Sequence, residues 1–185
     1  MTKRQFWQGA SRWGLITGGV LFAILLFSWG ADLDGHGAGW VAELMRFSLI
    51  LTIVLASGRR NAAMTGPEGY PYSRAVGFVL ATMLFSGVAY GMGQYVMVNF
   101  IAPDHYDALN AERIDQALTI YRGTPMYEAA LAGRDVVIRW FSNPIWLMFA
   151  SIFELSLKGG ILGLFLGAFV KKNPDIFGNK QPRQQ

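Results

Sequence analysis

Two pairs of opposite charge stand inside apolar stretches of this chain. Glu154 and Lys158 are the only charged residues between Pro144 and Val170. Glutamate on the N-terminal side at i, i+4 is the spacing that allows an ion pair along one helix. On a helix rising about 1.5 Å per residue, Glu154 lies about 15 Å beyond Pro144. A charge at the centre of a bilayer costs about 2.5–3.5 kcal/mol on insertion scales. The pair therefore reads in two ways. It is a polar site inside a helix bundle, suited to relaying a proton or ion or to contacting a lipid phosphate. Or it is a self-neutralised pair, with Lys158 reaching toward the headgroups or one member hydrogen-bonded across helices. Glu43 and Arg46, at i, i+3, open the apolar stretch Trp40 to Ser57. Their shallower position lets them reach water or pair with neighbouring segments.

Other chemistry finds little support in the residues. His36 and His105 have no partner at metal-ligand spacing, so no metal site is expected. The chain contains no cysteine, which excludes disulfides, thiolate metal sites and cysteine nucleophiles. Gly91-Met92-Gly93 is no dinucleotide fingerprint, because no strand precedes it. No phosphate-binding loop, H-E-x-x-H or G-x-S-x-G occurs. Neither a catalytic residue nor a cofactor is expected.

Glycines recur at helical spacing. Gly14 and Gly18 form one GxxxG pair and Gly87 and Gly91 another, while Gly159, Gly163 and Gly167 repeat every four residues. Such stripes let helix backbones approach closely in lipid. They serve either packing within one chain or contact with a second one, a partner or another copy.

The elements that must position these residues follow from composition. Of 185 residues, 52% are hydrophobic and only 15% charged, against roughly 25% charged in an average soluble domain. That excludes an ordinary soluble domain and a disordered chain. A bilayer core of about 30 Å takes about 20 helical residues. Four stretches qualify: 13–30, 40–57, 75–99 and 144–170. Trp13 and Trp29 bracket the first, Trp40 opens the second, and Trp140 and Trp146 flank the entry to the fourth, as amphipathic rings at headgroup level do. The N-terminal apolar run, about 18 residues, exceeds the ~7–15 of a signal-peptide core, and no A-x-A site follows. It reads as a retained span.

Charge sets the orientation. The N-terminal tail, the second linker and the C-terminal tail hold ten basic residues and two acidic ones; the first and third linkers hold four basic and eight acidic. The positive-inside rule then places both termini in the cytoplasm. The net charge of +4 is a topology signal and not a nucleic-acid signature. Arg59, Arg60 and Arg74 beside the membrane would also attract anionic lipid.

The linker between the third and fourth spans is too long for a plain turn. It reads as two amphipathic helices within 103–141. One runs from Pro103 to Arg122, with Tyr106, Leu109, Ile114, Ala117, Leu118 and Tyr121 at helical spacing, and ends at Gly123. The other starts at Pro125 with Thr124 as its cap and Met126, Ala130, Val137 and Phe141 on its apolar face. These helices either lie on the outer membrane surface or over the bundle, or offer a docking face. The expected fold is an all-α membrane protein of four transmembrane helices with an outer two-helix insertion, 1–185 forming one domain.

Three borders carry a likeness to a known family: Tyr72-Ser73-Arg74-Ala75-Val76-Gly77-Phe78, Asn99-Phe100-Ile101-Ala102-Pro103-Asp104, and Lys171-Lys172-Asn173-Pro174. The chain resembles an uncharacterised family of small four-span bacterial inner-membrane proteins, a domain of unknown function. The resemblance implies four helices, an outer helical insertion and residence in the inner membrane. It brings no catalytic residues, and it points toward polyprenyl-phosphate glycosyltransferases as companions. The missing catalytic motifs and the glycine stripes favour a non-catalytic membrane subunit or scaffold for a partner or a homo-oligomer. The alternative is a small carrier for a lipid-linked or ionic substrate, centred on Glu154 and Lys158.

Overall fold

The computed structural model describes residues 2–33, 39–65 and 69–173. The helices are α1 (Lys3–Gly30), α2 (Gly39–Ala63), α3 (Tyr72–Val96), α4 (His105–Thr119), α5 (Met126–Phe141) and α6 (Pro144–Val170). A π-helical turn, Met97–Ile101, continues α3. Among the described residues four helices are long and apolar enough to cross a membrane: α1, α2, α3 with its π turn, and α6. His36, Lys180 and Arg183 lie outside the described residues.

Local chemistry explains the boundaries. Helix α1 starts ten residues ahead of the expected Trp13, because Thr2 and Gln5 form a capping box. The Gln5 backbone N–H donates to Thr2 Oγ1 at 3.3 Å, and the Thr2 N–H donates to Gln5 Oε1 at 2.9 Å. This extension packs on α3, with the Phe6 ring edge-on to Phe78 at 5.7 Å. Helix α3 begins at Tyr72 rather than Ala75, immediately after Pro71. Helix α6 has the expected bounds. Asn143 Oδ1 accepts from the backbone N–H groups of Ile145 and Trp146, and Pro144 fills the first helical position.

Helix α3 is the centre of the bundle, with α1 on one face and α6 on the other. The glycine stripes line both seams. A Cβ added at Gly18 would lie 2.6 Å from Ala89 Cβ, and one at Gly14 would lie 2.6 Å from the Thr82 carbonyl oxygen. On the other seam a Cβ at Gly87 would lie 2.7 Å from Ile152 Cα, at Gly91 2.8 Å from the Met148 carbonyl, and at Gly159 2.5 Å from Met83 Cβ. Gly167 faces Val76 and Tyr72, and Gly163 meets Val76 at ordinary contact distance. Ser86 Oγ donates to the Gly14 carbonyl at 3.1 Å across the first seam.

Helix α2 joins differently. Its last turns meet the end of α6, where a Cβ at Gly58 would lie 3.0 Å from Val170 Cγ2. Ala62, Tyr70, Ala75 and Val170 form a small buried cluster there. Tyr70 and Lys172 exchange backbone hydrogen bonds of 2.7 and 3.0 Å. Asn61 Nδ2 donates to the Tyr70 hydroxyl at 3.2 Å, which donates to the Arg74 carbonyl at 3.3 Å. Burial pushes the Tyr70 hydroxyl above its ordinary value of 10.0, against the pull of the Asn61 bond and the Arg74 charge. This closed end, the terminal end, also holds the start of α1. The opposite end carries α4 and α5 and is called the hairpin end.

The hairpin departs from expectation in two places, the end of α4 and the cap of α5. Helix α4 is shorter, His105–Thr119, and the chain turns through Gly123 at φ +83°. Thr124 does not cap α5. Its hydroxyl donates back to the Tyr121 carbonyl at 2.7 Å, and Pro125 takes the cap position. The expected α5 face of Met126, Val137 and Phe141 is exposed in the protein; Ile138 is the residue α5 buries. The two helices are tied by Arg134, whose Nε and Nη2 donate to Asp115 Oδ1 and Oδ2 at 2.6 and 2.7 Å. That hydrogen-bonded pairing holds the Asp115 carboxyl below its ordinary value of 3.8. Asn110 Nδ2 donates to Ser142 Oγ at 3.0 Å, tying α4 to the chain entering α6.

Candidate functional site

Helices α2 and α6 touch at the terminal end and separate toward the hairpin end. The space between them is a cavity of about 400 Å³, within the range of small-ligand pockets. Its floor is Leu21 and Leu25 of α1 with Tyr90 and Gln94 of α3. Its walls are Glu43, Arg46 and Ile50 of α2 and Glu154, Leu155 and Lys158 of α6. Helix α4 lies across the hairpin end with His105, Tyr106, Leu109 and Arg113. The two charge pairs, remote in sequence, thus face one volume.

Each pair is formed. Arg46 Nη1 donates to Glu43 Oε1 at 2.6 Å, and the Arg46 side chain is 19% exposed while Glu43 is 61% exposed. Arg46 keeps donors in reserve. Nη2 makes only a long 3.5 Å contact to Ser28 Oγ, and the buried Nε has no hydrogen-bond partner among the described residues. An orphaned buried donor costs about 1–3 kcal/mol. On α6, Lys158 Nζ donates to Glu154 Oε1. These two side chains remain 43% and 57% exposed although they sit midway along an apolar helix.

Supporting polar groups fix the floor. The Ser151 hydroxyl is shared between the Leu147 carbonyl, at 2.8 Å, and Gln94 Oε1. This contact pins Gln94 of α3 against α6 beside the cavity. Tyr90, one turn below Gln94, is 9% exposed. At the roof the His105 and Tyr106 rings meet edge-on with centroids 5.2 Å apart. The cavity is therefore lined by three fixed cations, Arg46, Arg113 and Lys158, and two carboxylates, Glu43 and Glu154. Arg113 makes no ion pair among the described residues. A surplus of cationic donors over carboxylates suits an oxyanion.

Of the residues singled out in the sequence, Glu43, Arg46, Glu154 and Lys158 come together here, and the seven glycines do not. Those lie in the seams on α3. Sequence reasoning missed Tyr90, Gln94 and Arg113, and it named His105 and Tyr106 without bringing them to this site. Gln94 carried a signal, an amide one turn from Tyr90 in a span with no charged residue. Arg113 carried none beyond its place on a polar helix.

Four apolar helices of membrane length, three of them packed round the central α3, define a multi-pass integral membrane protein. Residues 12–172 match a family described as a protein of unknown function, DUF4199, and the chain belongs to that family. No curated protein and no solved structure matches the chain.

Proposed function

We propose that this protein is a small membrane carrier for an ionic or lipid-linked substrate, which it holds in the cavity between α2 and α6 without altering it chemically. One observation carries the reading: Glu43–Arg46 and Glu154–Lys158, on different helices, line a single cavity of ligand size. Each carboxylate has its own cation, so the charges are arranged to hold a group rather than to attack one. The basic balance of the tails and second linker supports a plasma-membrane orientation with both termini cytoplasmic. The cavity then opens toward the external half of the bilayer. A scaffold for a partner protein would have drawn support from free glycine faces. The stripe glycines, Gly14 and Gly18 of α1, Gly87 and Gly91 of α3, and Gly159, Gly163 and Gly167 of α6, are instead covered by neighbouring helices of the same chain.

The test is native mass spectrometry of the tagged protein from its own membranes, beside a Glu154→Gln, Lys158→Met double variant of equal melting temperature. The expected outcome is a bound non-protein mass that the variant lacks. An identical bound mass in both proteins sinks the carrier reading. So does a stoichiometric protein partner retained by both, which would restore the subunit reading.

A further inference from the structure

We infer that the cavity's ligand is an amphiphile with an anionic, phosphate-type head, admitted sideways from the bilayer between α2 and α6. The inference rests on the carrier reading and adds the substrate class and its route.

The route follows from exposure along α6. Glu154 and Lys158 keep 57% and 43% of their side chains open. Their sequence neighbours Phe153 and Leu157 are 72% and 55% open, as lipid-facing side chains are. A charged pair bordering such residues at mid-helix lies at an opening in the bundle's side and not in a sealed core. On the opposite lip, Phe47 of α2 is 51% open. The wedge is shut at the terminal end, where Gly58 meets Val170. It is crossed at the hairpin end by α4. A headgroup can enter between the lips while its chain stays among the lipid tails, and the charged pair then faces a polar group instead of hydrocarbon.

The sign of the head follows from the donors. Arg46 engages Glu43 through Nη1 and meets Ser28 Oγ only at 3.5 Å through Nη2, which leaves Nη2 able to donate to an anion. A guanidinium N–H matches phosphate oxygens as well as carboxylate ones. Lys158 and Arg113 add point charges on two other walls.

The experiment uses the full chain in phosphatidylcholine nanodiscs. Three probes are titrated while the melting temperature is followed: dodecyl phosphate, inorganic phosphate and dodecyltrimethylammonium. Dodecyl phosphate should raise the melting temperature saturably, and the other two should not. Arg46→Met and Lys158→Met should each weaken that response roughly tenfold to a hundredfold, the loss of a charge-assisted hydrogen bond. Lys158→Arg should retain it, which separates lost recognition from lost folding. Inorganic phosphate acting as strongly as dodecyl phosphate would overturn the sideways route and leave a carrier of soluble anions. An equal response to dodecyltrimethylammonium would overturn the anionic head. No saturable response to any probe overturns the inference, whereas the bound mass seen in native spectra judges the carrier reading separately.

Discussion

The seam on which α3 meets α1 and α6 and the wedge between α2 and α6 are built from the same kind of helix, yet they behave as opposites. In the seam, glycine removes side chains so that backbones touch, and small hydroxyls such as Ser86 bond directly across. In the wedge, long charged side chains line the gap between two helices. One region fixes the shape of the bundle and leaves no room for a Cβ at Gly14, Gly18, Gly87, Gly91 or Gly159. The other keeps a volume open and tolerates changes of charge, provided packing is left alone. In lipid, where burying apolar surface gives no net drive between helices, close contact holds the bundle together. Polar groups can then be concentrated where contact is absent.

The sharpest way to break this contrast is to add volume to the seam. Gly87→Val places a Cβ 2.7 Å from Ile152 Cα, a backbone atom that cannot step aside. It should cost about 3 kcal/mol of stability, at the upper end of overpacking effects. Gly160→Ala is the matched control, since nothing lies within 4 Å of its added Cβ. It should stabilise by up to about 1 kcal/mol through helix propensity. Thermal melts in one detergent decide the point, and equal losses for the two variants would refute the seam as the rigid half.

Next in size is the clasp at the terminal end. Tyr70→Phe removes the bonds from Asn61 and to Arg74 and should cost about 1 kcal/mol. The same variant has a pH signature. Burial raises the folded Tyr70 pKa above 10.0, so its contribution is complete below pH 10 and is lost as pH rises through the folded value. Melts taken at alkaline pH should converge for wild type and Tyr70→Phe. A constant gap would contradict it.

Smaller again is the effect of the wedge on stability. The Glu154→Gln, Lys158→Met double variant should shift folding by less than about 1 kcal/mol, as partly exposed pairs do, while abolishing ligand retention. A collapse of the fold would make this pair structural. The least disturbance is expected from Asp115→Asn in the hairpin. It should leave the melting temperature unchanged and alter only proteolysis between α4 and α5. Wild type should resist cleavage above the ordinary carboxylate value of 3.8 and lose that resistance as pH falls through the lowered Asp115 value. The variant should be susceptible throughout.

The four long helices were legible because length and apolarity alone mark a bilayer-spanning segment. Their extensions were not. The residues before Trp13 carry Lys3, Arg4 and Arg12, so hydropathy ends the span there, while the Thr2 and Gln5 cap carries the helix on. The glycine stripes were legible as close-contact surfaces, but nothing in spacing says which helix will meet them. For the same reason Glu43–Arg46 and Glu154–Lys158 could be picked out singly and not as one site. Rotational setting about each helix axis comes from tertiary packing. Arg134 and Asp115 escaped notice because nineteen residues and a turn separate them.

The π-helical turn at Met97–Ile101 bears on how this chain tolerates changes in length. Its Ala102 N–H reaches back five residues to the Met97 carbonyl at 2.8 Å, so the turn stores one residue more than an α turn would. Deleting one residue there would relax the turn to α geometry and keep the segments on either side in nearly the same phase. His105, Tyr106 and Arg113 would stay at the roof, whereas a deletion in the regular part of α3 would swing everything downstream by about 100° around the helix axis. The π turn is therefore the place where this chain can lose a single residue and still keep the wedge roofed.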